Sequence, residues 1–497
     1  MRLASVMTRG EFGLEAPEVG VEVRLGGGLP GLTIVGLAET TVKESRERVR
    51  AAISECGFEF PNRRITVNLA PADLPKSGGR FDLPIAVGLL AASGQIPSTE
   101  LARWEFHGEI AFTGSLRRVG GLLPALLAAR RAGRGVILPA ACAAEAGLVG
   151  GVDIRAADHL LAVARHLQGT AALTPPPPAA PIPSRITGDD LRDIHGQQQA
   201  KRALEIAAAG GHNLLLVGPP GTGKSMLARR LPGLLPPPAD DEAVEVAAIA
   251  SIAALGVLPA GRPFRAPHHS ATTAALVGGG SNPRPGEISL AHHGVLFLDE
   301  VAEFPRAVLE ALREPLETGR IAVARAARTV EFPASFQLVA AMNPCPCGYR
   351  GDPDLGCRCS PDQVRRYAER LSGPFMDRID IRIEVARSAV RLGVDTEGDS
   401  SAAVAARVAA ARQRQCGRCG VVNARLAAAE VRRWCLPGAP GRELMERAAA
   451  RLRLSRRACD SVLRVARTIA DLAAEGPVAT EHVAEALGLR AQRQAES

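Results

Sequence analysis

The apolar positions of the first 170 residues switch between two periods. Val19, Val21, Val23 and Leu25 alternate with Gly20, Glu22 and Arg24, which predicts a strand with one buried face, and Ile65, Val67 and Leu69 repeat the pattern. Between them Val49, Ile53 and Cys56 share one helical face, opened by a capping box at Thr41 and Glu44 and closed by Gly57. Farther along, the strand signal becomes short, mostly apolar runs, Leu214–Val217, Gly294–Leu298 and Phe336–Met342, alternating with helical stretches. Past a polar break at Asp395–Ser401, an Ala-, Arg- and Leu-rich region keeps helical spacing with almost no strand signal. The plainest boundary is Thr174–Ser184, whose six prolines are too stiff and too poor in N–H donors for an element interior. The expected organisation is a mixed α+β module at 1–170, a proline-rich linker at 171–187, an α/β module at 188–393 and a helical module at 394–497. No solenoid repeat is visible.

Composition narrows this picture. At about 150 residues per domain, 497 residues make roughly three domains. Aromatics are only 3%, so the cores are aliphatic and recognition by stacked aromatic platforms is disfavoured. A formal charge of +8 permits a polyanionic partner without requiring one. The longest nearly uncharged apolar run, Val246–Gly261, falls short of the ~18 residues of a membrane span and contains Gly256 and Pro259, so a packed helix is expected and no membrane partner. Met1–Gly13 carries Arg2, Arg9 and Glu11 with no apolar stretch. Ten cysteines without an export signal read as reduced thiols or metal ligands, and the expected compartment is the cytoplasm.

The chemistry is concentrated in the α/β module. Gly218, Pro219, Pro220, Gly221, Thr222, Gly223, Lys224 and Ser225 fit the phosphate-binding loop G-x-x-x-x-G-K-[ST], after an apolar strand and before a helical pattern. In that context backbone N–H groups curl around a β-phosphate, Lys224 reaches the β- and γ-phosphates, and the Ser225 hydroxyl holds Mg²⁺. The strand Gly294–Leu298 delivers Asp299 to the Mg²⁺ shell and Glu300 to the attacking water. Phe336–Met342 ends at Asn343, which can position that water or sense the γ-phosphate, or simply open an Asn-Pro turn. Hydrolysis of a nucleoside triphosphate follows, with ATP and Mg²⁺ as cofactors. Alternation at both ends of Ile321–Phe332 predicts a hairpin tipped by Arg325 and Arg328. Cys345, Cys347, Cys357 and Cys359, on a Gly/Pro-rich stretch, have the makings of a structural zinc site, with reduced free thiols as the alternative. Cys416 and Cys419 have no matching pair in the sequence and read as incidental.

The order of phosphate loop, Asp-Glu strand and Asn-ended strand resembles an AAA+ ATPase. Asp193–Ala203, Arg265–Ser270, Gly278–Gly280 and Pro285–His292 resemble the magnesium-chelatase-like clade. In the N-terminal module, Pro75–Arg80, Gly108–Gly114 and Gly120–Leu122 are similar to the proteolytic domain of Lon. A Lon-like domain ahead of such an ATPase resembles the YifB/ComM family, over nearly the whole chain. The resemblance implies a ribosomal-S5-like fold for the first module, an AAA+ core, a helical lid, and a hexameric ATP-driven motor on single-stranded or branched DNA, with branch migration in natural transformation as the family's described role. It implies that Arg378, within Leu371–Asp380, is an arginine finger acting across a subunit boundary. It implies that Arg457 is a sensor-2 arginine acting on its own chain's nucleotide, with Arg456 as its neighbour and rival. It places the Arg325–Arg328 tip in the ring pore, where paired arginines would line a path for a phosphate backbone, and makes Gly278–Arg284 a second pore loop. His268 and His269 fall to a structural or nucleotide-linked role. The positions of a Lon-type Ser-Lys dyad are Arg80 and Leu123, so protease activity is not expected, and Ser77 is a loop hydroxyl. Two other functions fit parts of the pattern: a chelatase-type subunit and a protein remodeller.

Overall fold

Val19, Val21, Val23 and Leu25 lie at the centre of a seven-stranded sheet in the computed structural model of the chain, which describes residues 3–177, 189–253, 255, 261–279, 283–325, 328–352, 354–387 and 398–490. Parts of five expected features therefore lie outside the described residues: 178–187 of the proline-rich linker, 254 and 256–260 of the apolar run after Val246, Gly280–Asn282 of the second pore loop, 326–327 of the hairpin, and 388–397 before the helical region. The chain forms two compact units, one of 1–182, 240–259 and 282–284, the other of 183–239, 260–281 and 285–497.

In the first unit the strands are β1 (Leu3–Arg9), β2 (Glu18–Gly26), β3 (Gly31–Val35), β4 (Arg64–Ala70), β5 (Trp104–Phe106), β6 (Gly135–Pro139) and β7 (Ile154–Ala157), in the order β3-β4-β2-β1-β5-β6-β7. The β1–β2 and β2–β4 pairs are antiparallel and the others parallel. Period-2 alternation buries Val19, Val21 and Val23 on one face, against Ile65, Val67 and Leu69 of β4. The helix Asp82–Ala92 is buried along its whole length. Gly88 lets it sit on β2, since a Cβ there would stand 2.6 Å from Val23 Cγ2. The helix expected after a Thr41 cap begins two residues earlier, at Thr40, with Glu39 at its N-cap, so Thr41 lies inside the first turn and not at the cap position. The first part of the apolar run, Val246–Ile252, belongs to the helix Asp240–Ile252, whose Ala247 and Ala248 join Leu122, Leu123 and Leu126 in one cluster of this unit.

The second unit is built on β8 (Leu214–Val217), β9 (Phe264–Arg265), β10 (Val295–Leu298), the hairpin β11 (Arg320–Arg325) and β12 (Arg328–Pro333), β13 (Gln337–Met342) and β14 (Ile381–Glu384). Five of these make a wholly parallel sheet in the order β9-β10-β13-β8-β14. Every residue of β8, β10 and β13 is buried, which is why their sequences are near-continuous apolar runs, interrupted only by Gln337, and show no alternation. The helices Ser401–Cys419, Arg456–Leu472 and Thr480–Gly488 share this unit's core: Val404, Val408, Val462, Val465 and Val483 pack with Leu204, Leu227 and Leu231.

Candidate functional site

A parallel sheet has two chemically distinct edges, and ligands of open α/β sheets collect at the carboxyl edge. Here β8, β13 and β10 end side by side, with Val217 paired to Met342 and Leu298 to Ala340. The residues that follow, Gly218, Asn343 and Asp299, are thereby brought together. The phosphate loop turns through left-handed Gly221 and Gly223 into the helix Lys224–Leu234. Gly218 admits no side chain, because a Cβ would lie 2.2 Å from the Val385 carbonyl oxygen.

Lys224 is buried, and its ammonium donates to the Gly218 carbonyl at 2.6 Å, the Pro219 carbonyl at 2.9 Å and Asn343 Oδ1 at 3.3 Å. Burial pulls its pKa below the usual range, and Asp299 and Glu300 hold part of it back. The Ser225 hydroxyl donates to Asp299 Oδ2 at 2.6 Å. Glu300 is held in the left-handed region (φ 51°), a conformation sparsely used by side chains of its size. Its carboxylate is 3.4 Å from His269 Nδ1. Two more of the clade-like segments meet here: Arg265 forms a bidentate pair with Glu287, at 2.6 and 2.7 Å. Gln197, in the segment before β8, donates to the Ala386 carbonyl at 2.6 Å, one residue beyond the Val385 that touches Gly218. Tyr367, which belongs to no sequence motif, bonds the backbone of Asn343; burial and Glu303 push its phenol up to about 12.

The two candidate arginines are elsewhere. Arg378 donates to the Arg313 carbonyl at 3.0 Å and the Pro374 carbonyl at 2.7 Å, and pairs with Glu317. Arg457 reaches the other oxygen of the same Glu317 at 2.6 Å. Burial pushes the Glu317 carboxyl up, but the two guanidinium groups outweigh it and leave it below the usual range. Asp380, two residues past Arg378, accepts from the Asn213 N–H and the Ser461 hydroxyl. Both arginines line a groove of about 710 Å³ with Asn213, Phe336, Asp377 and Asp380. Asn213 precedes β8, Phe336 precedes β13 and Asp380 precedes β14, so the groove lies at the amino edge of the sheet. At about 3.3 Å per strand residue, the two edges are on the order of 10 Å apart. The own-chain role expected for Arg457 therefore does not fit: it stands with Arg378, across the sheet from its own phosphate loop.

The β11–β12 hairpin forms as expected, with Arg325 opposite Arg328 at its tip. The side chains of those two arginines lie outside the described residues. In the first unit, the Lon dyad positions are both buried and neither carries a nucleophile or base: Arg80 pairs with Glu11 and the Gly120 carbonyl, and Leu123 is core. Cys345, Cys347, Cys357 and Cys359 converge, with all four sulfurs within 4.8 Å of one another. Cys416 and Cys419 lie on the helix Ser401–Cys419 and belong to none of the metal-capable groups among the described residues.

Known proteins resemble the chain along its whole length. The profile for magnesium chelatase subunit ChlI matches residues 190–391, that for subunit ChlI of Mg-chelatase matches 21–142, and that for the ChlI C-terminal region matches 398–490. YifB of Salmonella typhimurium is 50% identical over 99% of this chain and 97% of its own length. The competence protein ComM of Haemophilus influenzae is 50% identical over 99% of this chain and 98% of its own. Lon protease 2 of Bacillus subtilis is 25% identical over 33% of this chain and 35% of its own.

Proposed function

The chain belongs to the YifB/ComM family of magnesium-chelatase-like AAA+ ATPases, and from that premise we propose a ring-forming motor, a hexamer, that acts on single-stranded or branched DNA as a helicase or branch-migration factor in natural transformation. The observation that carries the ring is the division of labour between the sheet edges. Lys224, Ser225, Asp299, Glu300 and Asn343 sit at one edge, Arg378 and Arg457 at the other. A seam that presents one chain's amino edge to the next chain's carboxyl edge completes the site, and Arg457 joins Arg378 in acting on the neighbour's nucleotide.

The donors present suit ATP with magnesium: the Ser225 hydroxyl and Asp299 carboxylate converge as hard oxygen ligands, and together they would hold the ion beside the phosphates. Bound there, magnesium would neutralise charge on the β- and γ-phosphate oxygens. Lys224 exchanges its two loop carbonyls for those phosphates, Glu300 orients a water and takes its proton, and Asn343 holds that water or reads the γ-phosphate. Arg378 and Arg457 then meet the charge that develops on the transferring group.

DNA is supported by the hairpin tip, by the formal charge of +8 and by the similarity to the competence protein ComM. Turnover measured with and without single-stranded, duplex and branched DNA is expected to rise most with the first or the last. Stimulation by unfolded polypeptide and not by DNA would instead indicate a protein remodeller. Turnover per chain is expected to climb with protein concentration through the assembly range, and a rate independent of concentration would remove the seam from the mechanism. Replacing both Arg325 and Arg328 by Ala should weaken DNA binding and flatten the salt dependence by about one unit of log–log slope per lost phosphate contact. An unchanged slope would take the hairpin off the DNA path.

A further inference from the structure

Among the described residues, no helix or strand intervenes between Asn343, at the end of β13, and the helix Pro361–Ala368. The segment has almost no apolar core of its own: Cys345 is buried, but Leu355 is largely exposed. An irregular stretch of this length needs something other than packing to hold it in one conformation. Its four sulfurs supply a candidate. Cys345 Sγ lies 3.4 Å from Cys347 Sγ and 3.6 Å from Cys357 Sγ, and Cys347 Sγ lies 3.6 Å from Cys357 Sγ. Four thiolates at about 2.3 Å from one zinc ion stand roughly 3.8 Å apart at the corners of a tetrahedron, close to these spacings. Backbone N–H groups also point at the sulfurs. Cys347 N–H donates to Cys359 Sγ at 3.4 Å, and the backbone of Tyr349 and of Arg358 reaches Cys347 Sγ.

The same loop touches the nucleotide site at two places. Cys345 is two residues from Asn343, whose side chain accepts from Lys224. Gly348, one residue past Cys347, adopts φ +85°, and a Cβ on it would stand 2.8 Å from Pro220 Cδ in the phosphate loop. We propose that Cys345, Cys347, Cys357 and Cys359 bind one zinc ion, and that the metal positions Asn343 and the Gly348 backbone against Lys224 and Pro220, so that zinc occupancy governs the grip on ATP. The metal is remote from the reacting phosphate and takes no chemical part. The coupling to ATP rests on the proposed ATPase, whereas the metal site stands without it.

Elemental analysis of the full chain, purified without chelators, is expected to give one zinc per chain. Cys357→Ser with Cys359→Ser should lose the metal and raise KM for ATP at least tenfold, with kcat changing less. Cys359→His, which restores a fourth ligand, should recover both zinc and KM, which a merely structural defect would not do. Should the double variant fail to fold, zinc can be released from the wild-type chain with a thiol reagent and a chromogenic chelator. Affinity for a fluorescent ATP analogue should then fall and return when the thiols are reduced and zinc is added back. A chain without stoichiometric zinc, or with a visible iron–sulfur chromophore, overturns the metal assignment. A zinc-free chain that keeps wild-type affinity for ATP overturns the coupling. A chain with one zinc per chain and no ATP turnover sinks the motor and leaves the zinc site intact.

Discussion

Glu300→Gln is expected to leave ATP bound and cut its turnover by 10²- to 10⁴-fold, the usual worth of a positioned general base. The substitution keeps the shape of the side chain and removes only its ability to take a proton. Lys224, Ser225 and Asp299 make their contacts without it, so affinity should move little. The left-handed backbone at residue 300 also argues for a small change in fold, because Gln tolerates that conformation no worse than Glu. Single-turnover hydrolysis beside the Kd of a fluorescent ATP analogue separates the two effects. A kcat within threefold of wild type would remove Glu300 from the chemistry.

The second large effect is at Arg378. Its replacement by Ala should lower kcat by 10³-fold or more, the range seen when an arginine finger is withheld, with ATP affinity of the same chain nearly unchanged. Arg378 also donates to the Arg313 and Pro374 carbonyls, so the variant needs a thermal-unfolding control. The decisive measurement is a mixture. An Arg378→Ala chain keeps its own Glu300, and a Glu300→Gln chain keeps its own Arg378. If the arginine acts across a seam, mixed rings contain seams in which an intact Glu300 faces an intact Arg378, and activity returns. If it acts within its own chain, no chain in the mixture holds both groups and activity stays lost.

The carboxyl-edge residues are legible in the sequence because each directly follows a buried strand and breaks its apolar run: Gly218 after Val217, Asp299 after Leu298, Asn343 after Met342. Parallel pairing of adjacent strands turns that one-dimensional pattern into a site. The arginine edge is not legible in the same way. Arg378 and Arg457 are separated by 79 positions in the sequence, and what unites them is a shared carboxylate, Glu317, on a short helix that carries no motif. Their edge of the sheet is known only once β14 is seen to run parallel to β8. The helix Asp240–Ile252 shows another limit. Its apolar run predicts a packed helix, yet its partners Leu122 and Leu126 lie more than a hundred residues back, beyond the reach of any local pattern. The convergence of the four cysteines could be suspected from their number, but the contact of Gly348 with Pro220 could not, since a glycine in a loop gives no sign of what approaches it.

Arg378 and Asp380 stand just before β14, and Val385, just after it, accepts no side chain from Gly218 and donates its N–H to Val217 at 2.7 Å. Only the four residues Ile381–Glu384 separate them, zipped along one side to β8. A rod so short has no slack. In the ring we propose, a neighbour's triphosphate drawing on one end would be felt by the phosphate loop at the other, and news of a hydrolysis event would pass from subunit to subunit without any hinge.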